Sequence, residues 1–416
     1  MRNHLSEEPQ KLDSPSGDRS PRQSLRSLGA GIWALGFGSL LMDASSELVH
    51  SLLPMFMATV LGASMTSIGL LEGVAEGTAA VTKVFSGSLS DRLRKRKPLV
   101  VLGYGLAALS KPMFPLATSL GWVFAARFID RIGRGIREAP RDALIADITP
   151  EHLRGAAYGL RQSLDSVGAF VGPALALGFM VWFGNDLKAV LWVAVFPALM
   201  AVTLLTFAIR EPDKSHSESS ATVRFTIAGA GRLGLRYWTI LFLGAAFTLA
   251  RFSEAFLVLR AQNIGFAIGF VPIVMIAMNV VYAAAAYPAG AAADWVSRRM
   301  LLLSGLGTLI AADIVLAAAT TVWHVLAGAM LWGLQMALTQ GLMAKLVADS
   351  SPEEFRGTAF GLFNLASGAA LIVASTIAGL LWDRLGPAAT FIGGAGFAAV
   401  AAAGLLLLPR FNLRGG

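Results

Sequence analysis

Cysteine is absent from the 416 residues, and charged side chains make up only 14% of them. Without a thiol there is no thiolate metal site, no disulfide and no cysteine nucleophile. Soluble domains carry about 25% charged residues. A charge content this low, with 55% hydrophobic residues and a mean hydropathy of +0.63, excludes an ordinary cytosolic enzyme. No Gly-Lys-Ser/Thr phosphate loop is present, which argues against direct ATP coupling. Neither an enzymatic activity, a cofactor nor a resident metal is expected. What the chain has in plenty is glycine, 44 residues, and phenylalanine, 24. Small residues let membrane helices approach closely, and bulky apolar ones face lipid.

Residues 1–27 are polar and mix Ser, Pro and both charges, as in a disordered tail. A signal peptide needs a short apolar run near the N-terminus, and the first run here begins near Leu28 and is too long. Apolar segments follow at about 30–57, 67–90, 98–117, 119–142, 156–180, 188–209, 236–259, 268–293, 300–320, 322–347, 357–381 and 388–408. Each can cross a bilayer, which takes about 20 residues as a helix, so an all-α, twelve-span membrane protein is expected.

The net charge of +8 raises the possibility of nucleic-acid binding, and the distribution of the 34 Lys and Arg residues answers it. Counting charged helix ends with the connections they adjoin, 27 of them fall on the side that carries both chain ends, three (Lys188, Arg260, Arg384) on the other, and four (Lys83, Lys111, Arg127, Arg251) remain deeper within spans. Lys and Arg accumulate on the cytoplasmic side of membrane proteins. Both termini are therefore expected in the cytoplasm, and no nucleic-acid partner is needed to explain the charge.

The sequence repeats. Leu144-Ile-Ala-Asp147-Ile-Thr-Pro150-Glu151-His-Leu-Arg154-Gly155-Ala-Ala-Tyr-Gly159-Leu160 returns as Leu346-Val-Ala-Asp349-Ser-Ser-Pro352-Glu353-Glu-Phe-Arg356-Gly357-Thr-Ala-Phe-Gly361-Leu362. Fainter echoes pair Gly87-x-x-x-Asp91 with Gly290-x-x-x-Asp294, and Ser46-Glu47 with Ser253-Glu254. The spacing implies two six-helix halves, 28–209 and 237–409, joined by a linker at 210–236 and followed by a short tail at 410–416. Parallel six-helix halves with a substrate path between them are one plan of secondary transporters.

On these residues the chain resembles the major facilitator superfamily from about residue 28 onward. Gly87-Ser-Leu-Ser-Asp91-Arg92-Leu-Arg94-Lys95-Arg96-Lys97 looks like that family's loop signature Gly-x-Leu-x-Asp-Arg-x-Gly-Arg-Arg, with Arg94 at the second Gly. Arg127-Phe-Ile-Asp130-Arg131-Ile-Gly133 is similar to its Arg-x-x-Gln-Gly-x-Gly pattern, with Asp130 and Arg131 replacing Gln and Gly. Gly168-x-x-x-Gly172-Pro173 resembles the helix-5 motif of the proton-coupled exporters, without its last Gly, since Ala176 stands there. The resemblance implies a monomeric proton-coupled transporter of a small molecule in an inner membrane, with Gly87, Asp91, Arg92, Gly168, Gly172 and Pro173 as gating residues. Asp91 would latch the halves by meeting a helix N-terminus near Gly357, whose dipole favours a carboxylate. Gly168 and Gly172 also suit plain helix packing.

Ionisable groups in the bilayer centre are expensive and need partners or a wet cavity. Asp43, Glu47 and His50 share one face of the first helix, and Glu72, Glu76 and Lys83 one face of the second. Arg127, Asp130, Arg131 and Arg134 follow in the fourth, Arg161 and Asp165 in the fifth. At about 1.5 Å per residue, Asp43 or Glu47 is expected to face Arg127, and Arg131 to face Asp165. A carboxyl whose pKa burial raises and a nearby cation lowers can carry a proton. Asp43 and Glu47 are therefore the first candidates for proton coupling, then Glu76. His50, Glu72, Lys111, Arg127, Asp130, Arg131, Arg251, Glu254 and Gln335 are the candidates for the substrate cavity. Static interhelical pairing is the rival account, and it suits Lys83 and Arg161/Asp165 best. Export by proton antiport is the leading expectation; import of an anionic metabolite or chelate by proton symport, and divalent-cation transport through His50 and the acids around it, are the alternatives.

Overall fold

The computed structural model describes residues 27–93, 95–209, 231–352 and 355–407, and only the backbone at 88, 91–93, 151 and 293–295. The polar tail, most of the linker and the C-terminal tail lie outside the described residues. The described chain is helical: α1 (Ala30–Thr59), α2 (Met65–Leu93), α3 (Lys97–Ser110), α4 (Leu120–Ile148), α5 (Arg154–Trp182), α6 (Leu187–Val193), α7 (Val195–Ala208), α8 (Leu235–Ala250), α9 (Ala255–Asn263), α10 (Ile273–Trp295), α11 (Arg298–Ala317), α12 (Val322–Asp349), α13 (Arg356–Leu385) and α14 (Pro387–Leu407).

Taking α6 with α7 and α8 with α9, these helices make twelve segments in the order read from hydropathy. Leu187–Ala208, Leu235–Asn263 and Ile268–Ala292, with α5 and α11 to α14, are each long and apolar enough to cross a bilayer. The other four crossings hold most of the buried charge, and α3 has only 14 residues before a single 3-10 turn, Lys111–Met113. The repeated sequence falls at matching places, the α4–α5 and α12–α13 turns.

Two interruptions have visible compensation. The turn at Ala194 leaves its carbonyl to accept a hydrogen bond from Ser45 Oγ at 2.7 Å. The extended stretch between α8 and α9 takes Ser253 out of the helical ladder, and its N–H donates instead to Ser375 Oγ at 3.1 Å. Buried backbone donors and acceptors have to be satisfied inside a bilayer, so both breaks are built in. α4 runs six residues beyond the expected boundary at 142, because its arginines and acids bury one face in the bundle.

At the far end, opposite the terminal end where α1 starts and α14 finishes, the halves close on each other. Glycine is what lets them. A Cβ on Gly73 would lie 2.7 Å from Ile372 Cα, and Cβ atoms on Gly69 and Gly379 would collide with the carbonyls of Ser375 and Met65. Asp383 completes the seam from the end of α13: its carboxylate accepts from the N–H groups of Met65 and Thr66, at 3.0 and 2.8 Å, and from Thr66 Oγ1 at 2.6 Å. These donors are the free amides at the start of α2, where the helix dipole favours a negative charge. A carboxylate on a helix N-terminus thus ties the halves at the far end, while the side chains of Asp91 and Arg92, expected to do so at the other, lie outside the described residues.

Candidate functional site

α4 is the spine of the polar interior. Arg127, Asp130, Arg131, Arg134, Arg137, Glu138 and Arg141 recur every three or four residues and so share one face. That face points into the bundle, and α1, α2, α3 and α5 bring the opposite charges. Arg127 meets Glu72 at 2.8 Å, each side chain only 1% exposed. Lys111 reaches Asp130 at 2.7 Å and Ser46 Oγ at 3.0 Å. Arg131 pairs with Glu76 at 2.8 Å.

Nearer the terminal end, Arg137 holds Asp43 at 3.2 Å and lies 4.6 Å from the centre of the Tyr104 ring. Glu138 bridges Arg134 at 2.9 Å and Lys83 at 2.8 Å, and Asp165 bridges Arg161 at 2.8 Å and Arg141 at 3.9 Å. His50 joins the layers: its Nδ1 is 3.4 Å from Glu47 and its Nε2 is 3.9 Å from Glu72.

Two expected contacts are replaced. Arg127 takes Glu72 of α2, leaving Asp43 to Arg137 and Glu47 to His50; Arg131 takes Glu76, leaving Asp165 to Arg161 and Arg141. The cause is that α2, rather than α1, lies along the far-end half of α4's charged face. Depth along a helix axis carries no information about azimuth. Arg137, Glu138, Arg141 and Asp142 fall inside the expected 119–142 segment but not among the candidate site residues, and the period of three and four running on from Arg127 was the signal that places the first three on its charged face.

A cavity of about 530 Å³ opens between the halves on the terminal side of the far-end seam. Asp43, Glu47, Lys83, Arg134, Arg141 and Asp165 line it from one half, and Asn279, Tyr282 and Gln340 from the other. Asn279 Nδ2 crosses to the Ala169 carbonyl at 3.1 Å. A smaller pocket of about 270 Å³ shares Gln340 with it and contains Arg251 and Gln335. Of the residues expected in a substrate cavity, these two line the small pocket. Glu72, Lys111, Arg127, Asp130 and Arg131 are buried within the bundle as ion pairs, and His50 connects that network to Glu47. Glu254 sits at the α8–α9 break, and the charges acting on it are Arg251, His50, Glu47 and Glu76.

α5 presses Asp43 and Glu47 toward this cavity. A Cβ on Gly168 would lie 2.7 Å from the Leu40 carbonyl and 3.0 Å from Asp43 Cβ; one on Gly172 would lie 2.6 Å from the Ala44 carbonyl and 2.7 Å from Glu47 Cβ. Pro173 follows directly, within the helix. The expected helix-5 motif therefore packs against the turn of α1 that carries both acids. Gly87, by contrast, has only an ordinary contact with Ala139.

The sequence model of the Major Facilitator Superfamily matches residues 35–270 and 241–414. The chain belongs to that superfamily. It is 33% identical over 391 residues to the MFS-type transporter MJ1317 of Methanocaldococcus jannaschii, covering 92% of this chain and 95% of that protein. The inner membrane transport protein YajR of Escherichia coli is 25% identical over 393 residues, 88% of this chain and 81% of its own length. Among solved structures, the nucleoside transporter NupG superposes with a TM-score of 0.72 at 14% identity over 90% of this chain and 98% of that one. This superfamily member is thus a multi-pass membrane transporter and not an enzyme, with the twelve-helix fold of its relatives.

Proposed function

We propose that this transporter is proton-coupled, works by alternating access, and exports a small molecule by antiport. The observation that carries the coupling is the position of Asp43 and Glu47. They stand one turn apart on α1, line the cavity between the halves, and each touches a group whose charge or distance can change, Arg137 at 3.2 Å and His50 at 3.4 Å. Two acids this close repel unless a proton or a cation comes between them. Glu76 is the next candidate, through its ion pair with Arg131. Neutralising Asp43 releases Arg137, and neutralising Glu47 alters the field at Glu254 across the halves, so protonation has a route to the relative position of the two bundles.

Export draws support from the two motifs that resemble those of exporters, the Gly87–Lys97 loop and Gly168-x-x-x-Gly172-Pro173, the latter packed against both acids. The bundles are 28–209 and 237–409, linked by 210–236, in a monomer. Their orientation follows the basic residues: the terminal end faces the cytoplasm of an inner-membrane protein. With that orientation the far-end seam is the periplasmic gate, and the cavity described above faces inward. Gly87, Asp91 and Arg92 form the opposite gate.

Import of an organic anion is the second proposal, favoured by Arg251 in the small pocket. Divalent-cation transport has no such support: among the described residues no three His, Cys, Asp or Glu side chains gather as metal ligands. Substrate-driven proton movement in proteoliposomes tests the coupling. It is expected in the parent protein and lost when Asp43→Asn and Glu47→Gln are combined; proton movement that survives in the double variant overturns the assignment. Flux under imposed gradients of either sign separates antiport from symport.

A further inference from the structure

The small pocket has a chemistry of its own, set by what its polar groups lack. Arg127, Arg131 and Lys111, the cations expected to receive an anionic substrate, are each held by a carboxylate within 2.8 Å. Arg251 is different. It lies in the extended break between α8 and α9, and among the described residues its guanidinium donates no hydrogen bond and makes no ion pair closer than 4.0 Å, although Glu254 acts on it at longer range.

Beside it, Gln335 is 2% exposed; its Nε2 donates to Thr339 Oγ1 at 3.0 Å, but among the described residues its Oε1 has no partner, and neither has the buried Oγ of Ser367. All three side chains line one pocket, whose remaining wall includes the rings of Phe247, Phe360 and Phe363. Buried polar atoms left without partners are uncommon and costly, and here they converge on a space of about 270 Å³.

We infer that this pocket is the substrate subsite for an aromatic organic anion that also carries a hydrogen-bond donor. Arg251 receives the anionic group, Gln335 Oε1 accepts from the ligand's hydroxyl or N–H, and the phenylalanine rings enclose its apolar body. A guanidinium suits a planar carboxylate because its N–H groups match the two oxygens. The inference rests on the transporter reading of the cavity but on neither proton coupling nor direction.

Equilibrium binding to the purified full-length chain in detergent tests it, with three matched probes: 6-hydroxy-2-naphthoate, 2-naphthoate and 2-naphthol. The hydroxy acid is expected to bind tightest, the plain acid next and the neutral naphthol weakest. Arg251→Gln should weaken both acids by about tenfold or more, the effect of losing a charge-assisted hydrogen bond, and leave naphthol within about twofold. Arg251→Lys should restore most of the loss, and Gln335→Leu should remove the advantage of the hydroxy acid over the plain acid. If Arg251→Gln does not fold, the Lys and Leu variants carry the test. Naphthol binding as tightly as the acids, or acid affinity unchanged by Arg251→Gln, overturns the inference. Binding needs no gradient, so probes that bind in the expected order while proton flux fails would contradict the coupling alone.

Discussion

Removing one member of the Glu72–Arg127 pair should destabilise the protein far more than removing both. The two groups meet at 2.8 Å with side chains 1% exposed, and Glu72 Oε2, the oxygen that binds Arg127, also lies 3.9 Å from His50. With charge centres about 4 Å apart and an effective dielectric near 20, the attraction is roughly 4 kcal/mol. Glu72→Gln abolishes it and strands a guanidinium in the bundle, where Arg127 Nε already lacks a partner among the described residues. Breaking a buried pair from one side costs about 3 to 5 kcal/mol because it leaves an uncompensated buried charge, and removing both charges together takes that cost away. Reversible unfolding in mixed micelles, applied to Glu72→Gln, Arg127→Gln and the double variant, should show a coupling of about 2 kcal/mol or more. Effects that add to within about 0.5 kcal/mol would refute the idea that this pair is a buried, mutually dependent unit.

Gly172→Ala should cost about 1 to 3 kcal/mol and reduce transport, since its Cβ has 2.6 Å to the Ala44 carbonyl; Gly178→Ala, which meets nothing within 4 Å, is the neutral control. Asp383→Asn should weaken the cap on α2 by about 1 kcal/mol and raise the accessibility of a thiol introduced at the far end, a clean measurement in a chain without cysteine. Asp313 is fully buried, and among the described residues both of its carboxylate oxygens lack hydrogen-bond partners. Asp313→Asn should leave stability within about 1 kcal/mol, or raise it, and a larger loss in thermal unfolding would point to a partner for the acid.

Helix number and order were legible because crossing a bilayer imposes a length and a composition that hydropathy reports directly. The break at Thr320 and Thr321 and the duplicated turn at 144–160 and 346–362 fall where they were expected. Charge partners were less legible. Asp43, Glu47 and Arg127 were recognisable as intramembrane ionisable groups, yet which acid meets Arg127 depends on the rotation of α1 and α2 about α4, and spacing within one helix says nothing about that. Arg137 and Arg141 lie inside the expected 119–142 segment but close to its basic end, where Lys and Arg read as a topology signal, so the continuation of the Arg127 period onto the buried face went unused. Asp383 was missed for a different reason. It looks like an ordinary polar residue at a span end, and its role appears only when α13 is laid beside the start of α2. The pairing of Gly168 and Gly172 with the acids on α1 is likewise a contact between helices, and only the resemblance to an exporter motif drew attention to those glycines.

The most direct test of proton-coupled alternating access follows both ends of the molecule at once. Spin labels on Thr118→Cys with Thr320→Cys report the far end, and on His152→Cys with Ser350→Cys the terminal end; the absence of native cysteine makes both pairs specific. Between pH 8 and pH 5 the two mean distances should change in opposite senses, and combining Asp43→Asn with Glu47→Gln should abolish the change. Distances that do not respond to pH, that move in the same sense, or that respond unchanged in the double variant would contradict the account.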